Sequence, residues 1–118
     1  MTTLKIGILS QKDMRERTLM IARGDYKPRA SDPKIWFPSI RSLAEVLSDD
    51  NQALLHIITE KKPASISELS KLTGRHSSNL SRTLKTLSFY GFVKLERREK
   101  MVYPVVLATQ FQVTLAVA

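Results

Sequence analysis

The chain contains no cysteine. That excludes disulfides and thiolate metal sites, and it fits a reducing compartment, so a cytoplasmic protein is expected. Long apolar runs are missing too. Nothing approaches the roughly 18 consecutive apolar residues of a membrane-spanning helix. The opening MTTLKIGILSQKD has neither a basic region nor a long apolar core, so no signal peptide is expected. Histidine is limited to His56 and His76. With no thiolate and no carboxylates at ligand spacing, they do not suggest a metal site. His56, with Glu60 four residues on, reads as a surface residue. There is no glycine-rich phosphate loop and no nucleophile elbow. Asp49 and Asp50 read as helix-start residues rather than an acid/base pair. Trp36 and Phe37 suit a core or subunit contact better than a ligand-stacking pair. The expectation is a protein that is not an enzyme, with no cofactor and no metal.

Acidic residues are also scarce, at 11 against 19 lysines and arginines, for a net charge of +8. The distribution is sharper than the total. Between residues 71 and 100 stand Lys71, Arg75, Arg82, Lys85, Lys94, Arg97, Arg98 and Lys100, against only Glu96 and Glu99. Such a local excess suits a polyanion, because each neutralised phosphate releases counterions.

That excess falls on the most patterned part of the chain, residues 65–103. Ile66, Leu69 and Leu72 have helical spacing. Gly74 breaks the pattern. Leu80, Leu84 and Leu87 then recur at i, i+4, i+7, as on a helix buried along one stripe. Gly91 stands where a helix C′ residue would. Phe92, Val93 and Leu95, then Met101 and Tyr103, flank a charged tip at 96–100. Two helices around a tight turn, followed by a basic hairpin, form a DNA-binding shape.

The 118-residue chain as a whole fits one compact domain with an added arm. Residues 3–9 alternate as a strand. Ser10 and Asp13 open a helix over 11–23, with Met14, Thr18, Ile21 and Ala22 on one side, and Gly24 stops it. Residues 24–34 are a loop, and Ile35–Phe37 a short extended segment. Ser39 caps a helix over 40–48 with Ile40, Leu43, Ala44 and Leu47 facing inward. A further helix covers 52–61, with Ala53, Leu54, Ile57 and Ile58 as its apolar face. It ends at Lys61-Lys62-Pro63. Residues 64–66 read as a short extended piece. Phe111, Val113, Leu115 and Val117 alternate as a closing strand over 111–117. The expected fold is α+β: a winged helix-turn-helix over 39–118, preceded by a strand–helix–loop extension over 1–38. The two terminal strands would leave open edges unless paired with each other or with a second subunit.

On the second helix of the motif, the side opposite the leucines presents Ser78, Arg82, Lys85 and Thr86. In a major-groove docking its first turns reach the bases. Ser77, Ser78, Asn79 and Arg82 are therefore the candidates for base readout, Arg pairing with guanine and Asn with adenine. Ser77 is equally suited to be the N-cap of this helix. Arg75 and His76 stand at the turn, where a phosphate is well placed. Lys85 is a candidate backbone contact. Arg97, Arg98 and Lys100 would reach phosphates or the minor groove, with Glu96 and Glu99 opposing them.

With these residues the chain resembles the MarR/ArsR-type winged helix-turn-helix superfamily. The motif is SISELSKLTGRHSSNLSRTLKTLSFYGFVKLE. It is similar to an Ile/Leu-x-x-Leu-Ala-like helix, a Leu-x-Gly-Arg turn, a Ser-Arg-x-Leu recognition helix and an x-x-Gly-Leu-Val entry to the wing. The longer layout, with its N-terminal strand, the IWFPSI segment and a closing strand, resembles a small group of bacterial and archaeal DNA-binding regulators, often antitoxin-like. One departure is Arg97-Arg98-Glu99-Lys100, where many relatives carry Gly or Asn in the wing turn. The resemblance implies a sequence-specific, double-stranded DNA-binding transcriptional regulator, a dimeric repressor. An alternative expectation is an antitoxin that neutralises a small toxin protein and autoregulates its operon. The homodimer is expected to form through strands 3–9 and 111–117 with the 11–23 helix, since operators are commonly two-fold.

Overall fold

Serine starts four of the five helices in the computed structural model, which describes residues 2–117. Ser10 accepts the Asp13 N–H ahead of α1 (Gln11–Ala22). Ser39 accepts that of Ser42 ahead of α2 (Ile40–Val46). Ser48 accepts that of Asn51 ahead of α3 (Asp49–Lys61), and Ser65 that of Glu68 ahead of α4 (Ile66–Thr73). Each such cap is worth about 1 kcal/mol. The fifth helix, α5 (Ser77–Phe89), starts at His76 with no side-chain cap.

These caps explain three departures from the expected boundaries. Ser48 starts α3 at Asp49, three residues before the expected 52, with Asp49 and Asp50 in the favourable first turn. Residues 64–66 are not an extended piece, because Ser65 already caps α4 and Ile66 is helical. Ser77 is not the N-cap of α5 but its first helical residue.

Five strands complete the α+β fold. β1 (Thr3–Ile8), β2 (Ile35–Phe37) and β5 (Gln110–Leu115) form a parallel sheet in the order β2-β1-β5. β3 (Val93–Arg98) and β4 (Met101–Val106) form an antiparallel hairpin whose two-residue loop, Glu99-Lys100, has Glu99 at φ 58°. The terminal strands pair with each other, from Thr3 beside Gln110 to Ile8 beside Leu115.

One face of the parallel sheet carries Leu4, Ile6 and Ile8 with Phe37 and Phe111. It joins the helical core of Leu54, Leu55, Ile58, Leu69, Leu80, Leu84 and Leu87 through Phe92 and Val93. Phe37 stacks on Tyr90 at 4.4 Å, and Phe92 meets Phe111 edge-on at 5.2 Å. The other face is closed at Gly7, where a Cβ would lie 2.3 Å from the Trp36 ring, so the ring itself covers the backbone. The Arg17 guanidinium of α1 sits 4.8 Å over Trp36 and 5.5 Å from the Tyr26 ring.

Several side chains expected inward face solvent. On α2, Leu43 is buried, but Ile40 is 54% exposed and Ala44 is exposed, because α2 borders an open groove beside β5. On α3, Leu55 is buried and Ala53 is not. Leu72 is exposed at the end of α4. α1 buries no residue: Met14 and Ile21 are half-buried, Thr18 and Ala22 exposed. Among the described residues, no helix is long and apolar enough to cross a membrane.

Candidate nucleic-acid interface

Gly74 ends α4 in the left-handed conformation at φ 73°, a conformation strained for other residues, and three residues later α5 begins. Leu69 from α4 and Leu80, Leu84 and Leu87 from α5 are fully buried against one another. That stripe turns Ser77, Ser78, Asn79, Arg82, Lys85 and Thr86 outward, and all six are exposed. Because His76 supplies no cap, the first N–H groups of α5 have no side-chain acceptor. They lie at the positive end of the helix dipole, beside the basic turn.

Arg75 stands at the turn, as expected, but its guanidinium is bonded to its own chain. Its Nε and Nη2 donate to Asn79 Oδ1 at 3.0 and 2.8 Å, Nη2 also donates to Thr83 Oγ1 at 3.1 Å, and Nη1 donates to Asn51 Oδ1 at 3.4 Å. Four of the five guanidinium N–H groups are thereby used within the chain. Its carbonyl accepts from Ser70 Oγ at 2.6 Å, which ties the turn to α4. Asn51 in turn donates from Nδ2 to the Val46 carbonyl at 3.0 Å. Arg75 thus braces the first two turns of α5 against the start of α3.

The same network reaches Asn79. Its carbonyl oxygen already accepts two bonds, which leaves only the Nδ2 donors toward solvent. Bidentate adenine recognition needs both the acceptor and a donor. Ser77, Ser78 and Arg82 remain outward, and the side chains of Arg82 and Lys85 make no hydrogen bond or ion pair among the described residues.

The hairpin separates its cations. Arg97 and Arg98 point to opposite faces, as successive strand residues must. Arg97 shares the groove between α5 and the hairpin with Lys85, Ser81 and Ile66. Arg98 lies across the Tyr103 ring at 5.7 Å, on the side of Lys62 and Pro63. Lys100 stands exposed in the loop. Glu96 also lines the groove between α5 and the hairpin, where its charge is offset by Lys94 at 3.1 Å. The three wing cations are therefore not one cluster: Arg97 and Lys85 form a set with α5, and Arg98 belongs to the far side.

Asn51 and Thr83 escaped the sequence reading. Asn51 follows the helix-start pair Asp49-Asp50, and Thr83 stands eight residues after Arg75, where only helical geometry brings it back. Phe89 also escaped it. It is 83% exposed at the end of the same outward stripe as Ser78, Arg82 and Lys85.

A family model described as HVO_A0114 matches residues 46–113, a span that runs from the end of α2 into β5 and includes every candidate contact. No curated protein and no solved structure matches the chain.

Proposed function

The chain belongs to the HVO_A0114 family, and from the geometry of its surface we propose that it is a sequence-specific, double-stranded DNA-binding transcriptional regulator acting as a dimeric repressor. The unit that reads DNA is α4, α5 and the β3–β4 hairpin, arranged as a winged helix-turn-helix of the MarR/ArsR type. The family description names no activity, so the reading rests on geometry. Its main support is the outward face of α5: Ser77 and Ser78 small enough for close approach, Arg82 and Lys85 without partners among the described residues, and a first turn of uncapped N–H groups.

The roles divide by position. Arg82 reads a base edge, with guanine the preferred partner. Lys85 and Arg97 face one groove and hold the same phosphate strand, Lys100 reaches the flanking backbone, and the α5 N-terminus takes a phosphate. Arg75 holds the reading helix in register.

The test is selection of a preferred duplex from a random pool, followed by a salt titration on the selected site. Three cationic phosphate contacts per protomer, six per dimer, give a log–log slope of roughly −5. A slope near zero, or a pool that returns no preferred sequence, would sink the reading.

A further inference from the structure

β5 is the bare edge of the parallel sheet. The opposite edge, β2, is three residues long and flanked by Lys34 and Pro38, devices that discourage pairing. β5 has six residues, and from Gln110 to Val117 there is no charge and no proline. Its odd-numbered side chains continue the apolar face of the sheet, yet Val113 is 47% and Leu115 48% exposed. Beside them runs the groove walled by Ile40, Ala44 and Leu47 of α2 and Leu55 of α3. Among the described residues no lysine, arginine or carboxylate lines that groove, whose polar side chains are Gln52, His56, Thr59 and Thr109. In a chain of net charge +8, a second copy can approach only where cations are missing.

The surface area points the same way. The chain exposes 8446 Å² for 13.4 kDa. A compact monomer of this mass exposes about 6,500 Å². Each partner of a stable complex typically covers about 800 Å², so the excess of roughly 2,000 Å² is more than enough for a dimer face. The radius of gyration, 16.5 Å, likewise exceeds the about 13.5 Å of a compact domain of this length.

We propose that β5 pairs antiparallel with β5 of a second copy, joining two three-stranded sheets into one of six strands and closing the two α2–α3 grooves against each other. This goes beyond the proposed DNA reading by naming the seam. Directly opposed residues of an antiparallel pair point to the same face, so the two numbers must sum to an even value. Centring the pair on Val113 satisfies this along the strand: Val113 meets its own copy, Phe111 meets Leu115, and Gln112 meets Thr114. The two-fold axis then runs perpendicular to the sheet and places both α5 helices on the same side of it. α1 lies on the Trp36 face of the sheet and takes no part.

The natural lack of cysteine gives a clean test. The Val113→Cys variant should cross-link to a covalent dimer on oxidation or with a short bis-maleimide, while Glu16→Cys on α1 should not. Light scattering without DNA should show a dimer for the unmodified chain. For the Val113→Lys, Leu115→Lys variant it should show a monomer with an unchanged circular dichroism spectrum, its self-association weakened at least a hundredfold. A monomeric unmodified chain, or a dimer that cross-links through Glu16→Cys and not Val113→Cys, would overturn the seam. A chain that dimerises this way yet ignores DNA refutes the function proposed above and leaves this inference standing.

Discussion

Arg82 and Arg75 are the same residue type seven positions apart, and their surroundings give them opposite duties. Among the described residues Arg82 has no acidic side chain nearby in α5 and no hydrogen-bond or ion-pair partner, so its guanidinium is free for a ligand. Arg75 has spent four donors on Asn51, Asn79 and Thr83. Arg82→Ala is therefore expected to relax preference at one base pair, by about 1–3 kcal/mol. Lys85→Ala should weaken all sequences alike and reduce the salt slope by about one. Binding curves on matched and mismatched duplexes separate the two, and identical behaviour would remove the distinction between readout and phosphate contact. Arg75→Ala acts first on the fold, because it leaves Asn51 and Asn79 without their partner. A loss of about 0.5–1.5 kcal/mol in denaturant unfolding is expected, with Asn51→Ala showing a smaller loss in the same direction. Asp32 supplies a pH-sensitive counterpart in the 24–34 loop. Its carboxylate accepts from the Tyr26 hydroxyl, the Arg29 N–H and Arg17 Nη2. The Tyr26 bond, then that N–H, hold its pKa below the ordinary carboxylate value, and the same Tyr26–Asp32 bond raises that of Tyr26. A lowered folded-state pKa gives stability that is present above the ordinary carboxylate range and lost as pH falls through and below it. Because Trp36 is the only tryptophan and lies under Arg17 of the same cluster, its fluorescence should change in that acid window, and the Asp32→Asn variant should lose the transition.

Among the elements, α1 and its flanking strands differ most from the rest. α1 buries no residue and is held to the sheet through Arg17 on Trp36 and through Trp36 on Gly7. Gly7→Ala forces the Trp36 ring to move, since the new carbon would stand 2.3 Å from it. A destabilisation of about 1–3 kcal/mol is expected by thermal unfolding. If the ring is the obstacle, the added substitution Trp36→Leu should make Gly7→Ala nearly neutral. A double variant as costly as the sum of its parts would contradict this contact. These elements also show what was legible beforehand. The Leu80-Leu84-Leu87 stripe, the Ser10 and Ser39 caps, Gly74 and the hairpin are local patterns, read within a few residues of each other. The parallel pairing of β1 with β5 joins residues more than a hundred positions apart, and no local period encodes it. Ile40 and Ala44 fit an inward helical pattern, but whether they face a core depends on what lies beside α2. Here that is an open groove. The Arg75 network was hidden for a related reason: a polar residue at a turn looks the same in sequence whether it waits for phosphate or is bonded to its own chain.

At the scale of the whole molecule, the parallel sheet and α5 share one core. α5 packs by Leu80, Leu84 and Leu87 into the same apolar cluster that holds Ile6, Ile8 and Phe37, so a joint made at β5 fixes the spacing of two α5 helices with little freedom. The dimer and the DNA reading can then be tested against each other through salt. A dimer with six cationic phosphate contacts has a slope of roughly −5, and a folded monomer keeping three has about half that. The Val113→Lys, Leu115→Lys variant adds two cations to β5, but at the seam, and Val113 lines a different groove from the one shared by α5 and the hairpin. On a full two-fold site it should therefore bind far more weakly than the unmodified chain and with about half the salt slope. On a half-site the two proteins should bind with similar slopes. An unchanged slope on the full site would mean that the two reading helices are not linked through β5. Loss of half-site binding as well would mean that the sheet contributes directly to the DNA contact.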